Sequence, residues 1–384
     1  MENSNVKNSG RTITGLIFVV ISALVATLLV APADAAPSKG KPDKGTSVTP
    51  VVVGHRGASG YRPEHTLASY DLAAKMGPDF IEPDLVSTKD GVLVARHENE
   101  IGGTTDVADH PEFADRKTTK VIDGKEITGW FTEDFTLAEL KTLRAKERLP
   151  KERQQNTIYD GQLEVPTFDE VLELREQLSK ELGREIGVYS ETKHPTYFQS
   201  IGLSLEPGVV AALKDHQLNK AKAPVIVQSF ELTNLQQLRT ELGLKTPSAF
   251  LTSASGAPYD LESTGDERTY ADLVSPEGLA EISEFVTGVG PAKGQVIPRE
   301  ADGTLGEPTS LVADAHEAGL VVHPYTFRAE NTFLPVDYRN GSNPADYGKI
   351  LEEMKAYLET GIDGLFTDNP DIDVLAVEQY MASK

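Results

Sequence analysis

Residues 51–97 read VVVGHRGASGYRPEHTLASYDLAAKMGPDFIEPDLVSTKDGVLVARH, and this stretch decides the fold. An apolar β-branched run at 51–53 is followed by a helical pattern near 65–76 and by a second apolar run from Phe80. Polar residues follow both runs directly, which is where enzymes built on parallel barrels carry their catalytic groups. The stretch therefore predicts a β-α-β unit with chemically active side chains at its strand ends.

The same alternation continues through the rest of the chain. Strict β/α alternation predicts parallel strands, and eight repeats favour a closed (β/α)8 TIM barrel over an open sheet. The predicted strands are 51–53, 80–85, 186–190, 225–229, 249–252, 285–289, 320–325 and 364–367. The predicted helices lie near 65–76, 167–182, 197–215, 231–242, 276–284, 309–318, 345–360 and 371–382.

One interval, 98–166, interrupts this β/α alternation. It contains Gly102-Gly103, several charged segments and one short helix candidate at 137–144. A connection of this length is usually functional, so we predict a small insertion after the second strand that covers the barrel mouth. The alternative is a surface excursion without a role in the chemistry.

The N-terminus resembles an export signal. Lys7 and Arg11 precede an apolar run at 16–30, and Ala33-Asp34-Ala35 follows it as a small-x-small cleavage pattern. We therefore predict a cleaved signal peptide over 1–36 and a secreted, periplasmic or cell-envelope protein. An uncleaved membrane anchor is the alternative, although the run is shorter than the roughly 20 apolar residues that span a bilayer.

The remaining composition bounds the function. Residues 37–48 are polar and rich in Pro and Gly, which predicts a flexible leader before a barrel domain at 49–384. A formal charge of -22 argues against nucleic acid as a partner. It still allows a small anionic substrate, because a bound cation can set the field inside a pocket.

Two carboxylates follow the second predicted strand. Glu82 and Asp84 are two residues apart and should share one face of the strand, where they would repel each other unless a cation lay between them. Glu191, at the end of the next strand, could supply a third oxygen ligand. Such ligands favour Ca²⁺ first and Mg²⁺ second; the alternative is a solvated strand face. Pro83 must lie at a strand end or an irregularity, because proline cannot donate to a sheet.

Two histidines flank these acids. His55 and His97 could act as base and acid on a metal-bound phosphodiester, because imidazole titrates near neutral pH. Arg56 and Lys193 could bind the phosphate, or could be ordinary surface charges. We interpret the other histidines as packed or surface residues: His65, His110, His194, His216, His316 and His323.

Several motifs in order resemble the glycerophosphodiester phosphodiesterase family, and most closely its exported, calcium-using branch. They extend almost to the C-terminus of the chain. The motifs are HRGA at 55–58, PEHT at 63–66, EPD at 82–84, KDG at 89–91, His97, ETK at 191–193, VQSF at 227–230, VHPYT at 322–326 and LFTDNP at 365–370.

This resemblance implies an enzyme with a TIM barrel that hydrolyses glycerophosphodiesters to sn-glycerol 3-phosphate and an alcohol. It also implies that a glycerol hydroxyl attacks the phosphorus and that water opens the resulting cyclic phosphate. The implied roles are metal ligation by Glu82, Asp84 and Glu191, acid/base catalysis by His55 and His97, and substrate binding by Arg56, Lys193 and Gln228.

Two other functions remain open at this point. A phospholipase C or D acting on intact lipids would use a similar site, but no basic amphipathic segment for docking on a bilayer follows the leader. An inactive surface adhesin could keep the same fold. We expect small-molecule diesters as partners and no stable membrane insertion once the signal is cleaved.

Overall fold

The computed structural model describes residues 49–384. The predicted signal peptide (1–36) and leader (37–48) lie outside the described residues. The strands of the described part are β1 (Val51–His55), β2 (Phe80–Glu82), β3 (Asp84–Ser87), β4 (Leu93–Ala95), β5 (Thr118–Ile122), β6 (Lys125–Gly129), β7 (Gly187–Thr192), β8 (Val225–Ser229), β9 (Ser248–Thr252), β10 (Gly288–Pro291), β11 (Val321–Val322) and β12 (Gly364–Thr367).

Eight parallel strands form a nearly closed barrel, which confirms the predicted (β/α)8 fold. Their order around the sheet is β11-β10-β9-β8-β7-β2-β1-β12, so the first strand pairs with the last. Backbone hydrogen bonds complete the ring between β11 and β12: Asp363 N donates to Val322 O and Phe366 N donates to Pro324 O, both at 3.0 Å. The carboxyl ends of all eight strands consequently face one end of the barrel.

The second barrel strand is interrupted at Pro83, as its missing N–H requires. Its first half, β2, pairs with β1 and β7, and its second half, β3, pairs with β7 and with the antiparallel β4. The interruption lies between the two predicted metal ligands Glu82 and Asp84. Both carboxylates nevertheless lie at the same end of the barrel, because β7 continues past the break beside both halves.

Helices cover the outside of the barrel. The predicted single helix at 197–215 is wrong, because Gly202 has a left-handed φ of 77° and Pro207 lies in the first turn of a new helix. The α-helices are α1 (Leu67–Met76), α2 (Leu137–Leu140), α3 (Phe168–Leu182), α4 (Pro195–Ser200), α5 (Glu206–Asp215), α6 (Leu232–Thr240), α7 (Tyr259–Thr264), α8 (Tyr270–Leu273), α9 (Pro276–Ile282), α10 (Lys293–Val296), α11 (Leu311–Glu317), α12 (Ile350–Glu359) and α13 (Pro370–Ala382).

The core lies mainly between the strands and these helices, and a smaller cluster fills the barrel interior. α3 begins with a capping box, in which Thr167 N donates to Glu170 Oε2 at 2.7 Å and Glu170 N donates to Thr167 Oγ1 at 3.1 Å. Across residues 49–384, none of the helices combines the length and the apolar character needed to cross a bilayer.

The interval 98–166 connects β4 to α3. It contains the antiparallel β5–β6 hairpin, several 3-10 turns and α2, which is shorter than the helix predicted at 137–144. Two arginines of this interval, Arg148 and Arg153, reach side chains at the carboxyl ends of the barrel strands.

Candidate active site

Strand register brings together the predicted residues of four barrel strands, of which the second is divided into β2 and β3. His55 on β1 is opposite Glu82 on β2, Asp84 on β3 is opposite Glu191 on β7, and Glu191 is opposite Gln228 on β8. Each side chain lies at or near the carboxyl end of its barrel strand. The parallel ladder therefore gathers these five residues at one end of the barrel.

Glu82, Asp84 and Glu191 form a buried acidic cluster. One oxygen from each carboxylate lies within 4.8 Å of the others, and the exposed fractions are 1%, 1% and 5%. Burial and the neighbouring carboxylates raise the pKa of Glu82 well above its ordinary value. Burial and Asp84 likewise raise the pKa of Glu191 to about 8, against the effect of Lys193.

The cluster fits a hard divalent cation. Asp84 Oδ1 is buried and accepts no hydrogen bond from any described residue, so one ligand atom is available without displacing a partner. The three donors are carboxylate oxygens, the ligands that Ca²⁺ and Mg²⁺ prefer. A cation between them would also offset the repulsion that raises the pKa of Glu82.

His65 contacts this cluster directly, which the sequence interpretation missed. Its ring is fully buried, with Nε2 2.8 Å from Asp84 Oδ2 and Nδ1 2.7 Å from the Tyr70 hydroxyl. Burial raises the pKa of Asp84, but Lys193 and His65 outweigh it and hold that pKa well below the ordinary value. The available signal was the position of His65 in the PEHT motif at 63–66.

His55 is held by Asp368, which follows the last barrel strand. Nδ1 lies 2.6 Å from Asp368 Oδ1. Burial raises the pKa of Asp368, but Arg328 and Arg153 outweigh it and hold the pKa well below the ordinary value. An ionised carboxylate only accepts hydrogen bonds, so Nδ1 donates and Nε2 keeps its lone pair. Burial and Arg56 lower the pKa of His55 to about 4, so the ring is neutral near pH 7.

His97 is held in the same way by its neighbour in the chain. Nδ1 lies 2.5 Å from Glu98 Oε1. Burial raises the pKa of Glu98, but His97 and Arg148 outweigh it and keep the carboxylate ionised. Burial, Arg56 and Lys193 lower the pKa of His97 to about 3. The lone pair on Nε2 consequently faces Lys193 Nζ, which lies 3.4 Å away.

Arg56 lies against the acidic cluster. Its backbone has a left-handed φ of 59°, and its N–H donates to Glu82 Oε2 at 2.8 Å. Its guanidinium donates to Glu64 Oε2 at 2.9 Å and has Nε 3.6 Å from Asp84 Oδ2. A non-glycine residue in this conformation is unusual and costs free energy, and here it aims both the main chain and the side chain at the carboxylates.

Lys193, which directly follows β7, and Gln228 on β8 also contact the cluster. Lys193 Nζ is 2.8 Å from Glu191 Oε1, and Gln228 Nε2 donates to Glu82 Oε1 at 3.3 Å. A cavity of about 330 Å³ opens above these groups. Its polar lining includes both predicted catalytic histidines, and its apolar lining includes Phe230, Leu251, Tyr325 and Phe366.

Known proteins resemble this chain along most of its length. The model of the glycerophosphoryl diester phosphodiesterase family matches residues 55–372. The glycerophosphodiester phosphodiesterase GDPD6 of Arabidopsis thaliana is 38% identical over 331 residues, which cover 83% of each chain. The glycerophosphodiester phosphodiesterase of Haemophilus influenzae is 29% identical over 344 residues, covering 84% of this chain and 88% of that protein.

Solved structures share the fold at lower sequence identity. A glycerophosphoryl diester phosphodiesterase from Silicibacter pomeroyi aligns with a TM-score of 0.61 at 20% identity, covering 87% of this chain and 95% of its own. A phosphodiesterase from Oleispira antarctica, in complex with the product sn-glycerol-3-phosphate, aligns with a TM-score of 0.51 at 21% identity. That alignment covers 86% of this chain and 97% of the other.

Proposed function

The chain belongs to the glycerophosphoryl diester phosphodiesterase family, and we propose that it hydrolyses glycerophosphodiesters to sn-glycerol 3-phosphate and an alcohol. The observation that carries this proposal is a single cavity lined by two carboxylate-held imidazoles, Arg56, Glu82 and Glu191. The product bound to the Oleispira antarctica phosphodiesterase supports the same chemistry.

In this proposal Glu82, Asp84 and Glu191 hold one divalent cation, with Ca²⁺ as the first choice and Mg²⁺ as the second. The closeness of three buried carboxylates supports it. When bound, the cation supplies positive charge against the phosphodiester oxygens. Calcium is preferred because we also propose export through residues 1–36, and an exported protein meets calcium at high concentration. A secreted form that begins near Ala36, identified by mass spectrometry, would test the export.

The two imidazoles move protons through their Nε2 atoms. In the free site each ring is neutral near pH 7 and keeps its Nδ1–H on an ionised carboxylate, so either Nε2 can accept the proton of the attacking hydroxyl. The ring that protonates the departing oxygen must first carry a proton on its own Nε2, which the negative charge of the bound phosphodiester would favour. The hydroxyl comes from the glycerol of the substrate, the bond from phosphorus to the alcohol oxygen breaks, and water then opens the cyclic phosphate.

Arg56, Lys193 and Gln228 bind the phosphodiester. Both cations now contact carboxylates of the cluster, and they would turn part of their hydrogen bonding toward an anionic substrate. The guanidinium of Arg56 suits paired phosphate oxygens, whereas the Lys193 ammonium acts as a point charge. Phe230, Leu251, Tyr325 and Phe366 supply apolar parts of the cavity wall beside these groups.

A substrate panel tests this function. We expect the choline, ethanolamine and glycerol diesters of glycerol 3-phosphate to be cleaved with kcat/KM within about a factor of ten, because the departing group contributes little selective binding. Bis(p-nitrophenyl) phosphate should be a poor substrate despite its better leaving groups, since it lacks a neighbouring hydroxyl.

Intact phosphatidylcholine provides the contrast within this panel. We expect it to be cleaved much more slowly than glycerophosphocholine, and the glycerol 3-phosphate released from the latter can be measured by a coupled enzyme assay. Faster turnover of the intact lipid would instead identify a phospholipase. No turnover of any diester, with calcium or magnesium present, would favour the adhesin.

A further inference from the structure

Two arginines of the 98–166 interval each contact the carboxylate that holds one of the two histidines. Arg148 and Arg153 belong to one short stretch between α2 and α3, and neither contributes to the barrel strands. Their contacts extend from this stretch to the ends of the first and last strands and to the loop after β4.

Arg148 makes two bidentate pairs. Its Nε and Nη2 donate to the two carboxylate oxygens of Glu64 at 2.7 and 2.6 Å, and its Nη1 and Nη2 donate to those of Glu98 at 3.0 and 2.6 Å. Glu98 in turn accepts the Nδ1–H of His97, and Glu64 accepts a hydrogen bond from Arg56 at 2.9 Å. One guanidinium therefore fixes the carboxylates behind both a proposed proton-transfer group and a proposed phosphate contact.

Arg153 has the same relation to the other histidine. Its Nη2 donates to Asp368 Oδ2 and its Nε to Glu330 Oε1, both at 2.6 Å, while Nη1 donates to the carbonyl oxygen of Ser59 at 3.0 Å. Asp368 uses its other oxygen for His55. Only 3% of the Arg153 side chain is exposed, so water cannot easily replace these hydrogen bonds.

We propose that Arg148 and Arg153 are positioning residues, which fix the carboxylates of Glu98 and Asp368 and thereby the orientation of His97 and His55. The inference rests on the proposed acid/base roles of the two histidines. A carboxylate that is itself hydrogen-bonded holds an imidazole ring in one tautomer and one orientation. The 98–166 interval would then complete the catalytic site and not only cover it.

Arg148→Gln gives the sharper test, because 27% of the Arg148 side chain is exposed and the variant should fold. Arg116→Gln is the matched control. Arg116 lies on the same interval, is 29% exposed and pairs with Glu139 at 2.6 Å. Its hydrogen-bond partners, Asp134 and Glu139, are not those of His55 or His97. We expect Arg148→Gln to lower kcat by about 10- to 100-fold, with added guanidinium restoring part of it, and Arg116→Gln to leave kcat unchanged.

Proton NMR of the Nδ1–H groups reports the position of each imidazole directly, independently of kcat. In Arg148→Gln the strongly downfield Nδ1–H resonance of His97 should shift or broaden through exchange, while that of His55 stays in place. In Arg153→Lys the pattern should reverse, with circular dichroism confirming the fold. Unchanged resonances in both variants would overturn the inference, whether or not kcat falls. Altered resonances with normal kcat would keep the positioning role and refute the proposed proton transfer by that histidine.

Discussion

The two histidine–carboxylate pairs are alike in chemistry and different in construction. His55 is the last residue of β1 and Asp368 directly follows the neighbouring strand β12, and their side chains are 11% and 3% exposed. His97 and Glu98 are consecutive residues of a loop, with side chains 28% and 33% exposed. The barrel ladder holds the first pair in place, whereas the second depends on a contact from outside the barrel.

The two carboxylates also differ in the number of arginines that bind them. Asp368 accepts hydrogen bonds from two arginines, Arg153 and Arg328. Among the described residues, the ion pairs of Glu98 are with its own histidine and with Arg148. We therefore expect the barrel pair to matter more for stability, and the support of the loop pair to depend on Arg148 alone among the arginines of the described residues.

Removing the cation should abolish the contribution of both histidine pairs to turnover. After EDTA treatment we expect no measurable hydrolysis of glycerophosphocholine, because both histidines would act on a phosphodiester held by the same cation. Added Ca²⁺ should restore more activity than Mg²⁺. Full activity after exhaustive chelation, with metal content checked by mass spectrometry, would contradict the proposed cation site.

Removing the arginine behind each pair should lower the free energy of unfolding by different amounts. Arg153→Leu leaves Glu330 and Asp368 buried without that partner and should cost about 3–5 kcal/mol of unfolding free energy. Arg148→Leu should cost about 1 kcal/mol, since the side chain is partly exposed to water. Urea unfolding followed by circular dichroism measures both. Equal losses would show that burial does not distinguish the two pairs.

Removing either histidine should lower kcat by a similar factor. We expect His55→Ala and His97→Ala each to lower kcat by about 100-fold or more, equivalent to about 2.7 kcal/mol. The double variant should be little worse than the poorer single variant, because the two groups act as a unit. His216→Ala, a substitution on a helix end away from the cavity, serves as the control. Near-normal kcat in one single variant would remove that histidine from the mechanism.

Neutralising the two carboxylates should lower kcat by factors that differ between the pairs. Asp368→Asn should lower kcat by about 100-fold and Glu98→Gln by about 10-fold, a difference of about 1.4 kcal/mol. The buried amide would leave two arginines without their anion, while water can replace part of the exposed carboxylate. Steady-state kinetics at saturating substrate would decide, and a larger loss for Glu98→Gln would reverse the comparison.

The strand-end residues were predictable because the signal is local. His55, Glu82 and Glu191 each follow an apolar run, and parallel strands in register must bring such positions together. Pro83 likewise gave the strand interruption from its own chemistry. Gly202 and Pro207 carried a local signal too, and their effect on the predicted helix at 197–215 was underestimated.

The supporting residues were not predictable, because their positions depend on the path of the chain. Asp368 reaches His55 only through closure of the ring, and Arg153 reaches Asp368 only because the 98–166 interval brings it next to the residue that follows the last barrel strand. His65 bonds Asp84 from the loop before α1, where a lone histidine has no periodic pattern to mark it. Sequence patterns identify elements, but these contacts arise from how the elements are connected.

Ring closure also sets the order in which the enzyme can become active. His55 and Asp368 are separated by 313 positions in the sequence, so the barrel pair cannot form on the ribosome until nearly the whole chain has been synthesised. Contacts of such long range form late, because the entropy of closing the loop is lost before the contact is gained. A chain shortened before β12 would retain all three carboxylates of the acidic cluster and the loop pair, yet it would lack the carboxylate for His55. During refolding, turnover should therefore recover later than the helical signal in circular dichroism. Recovery of both at the same time would argue against late closure.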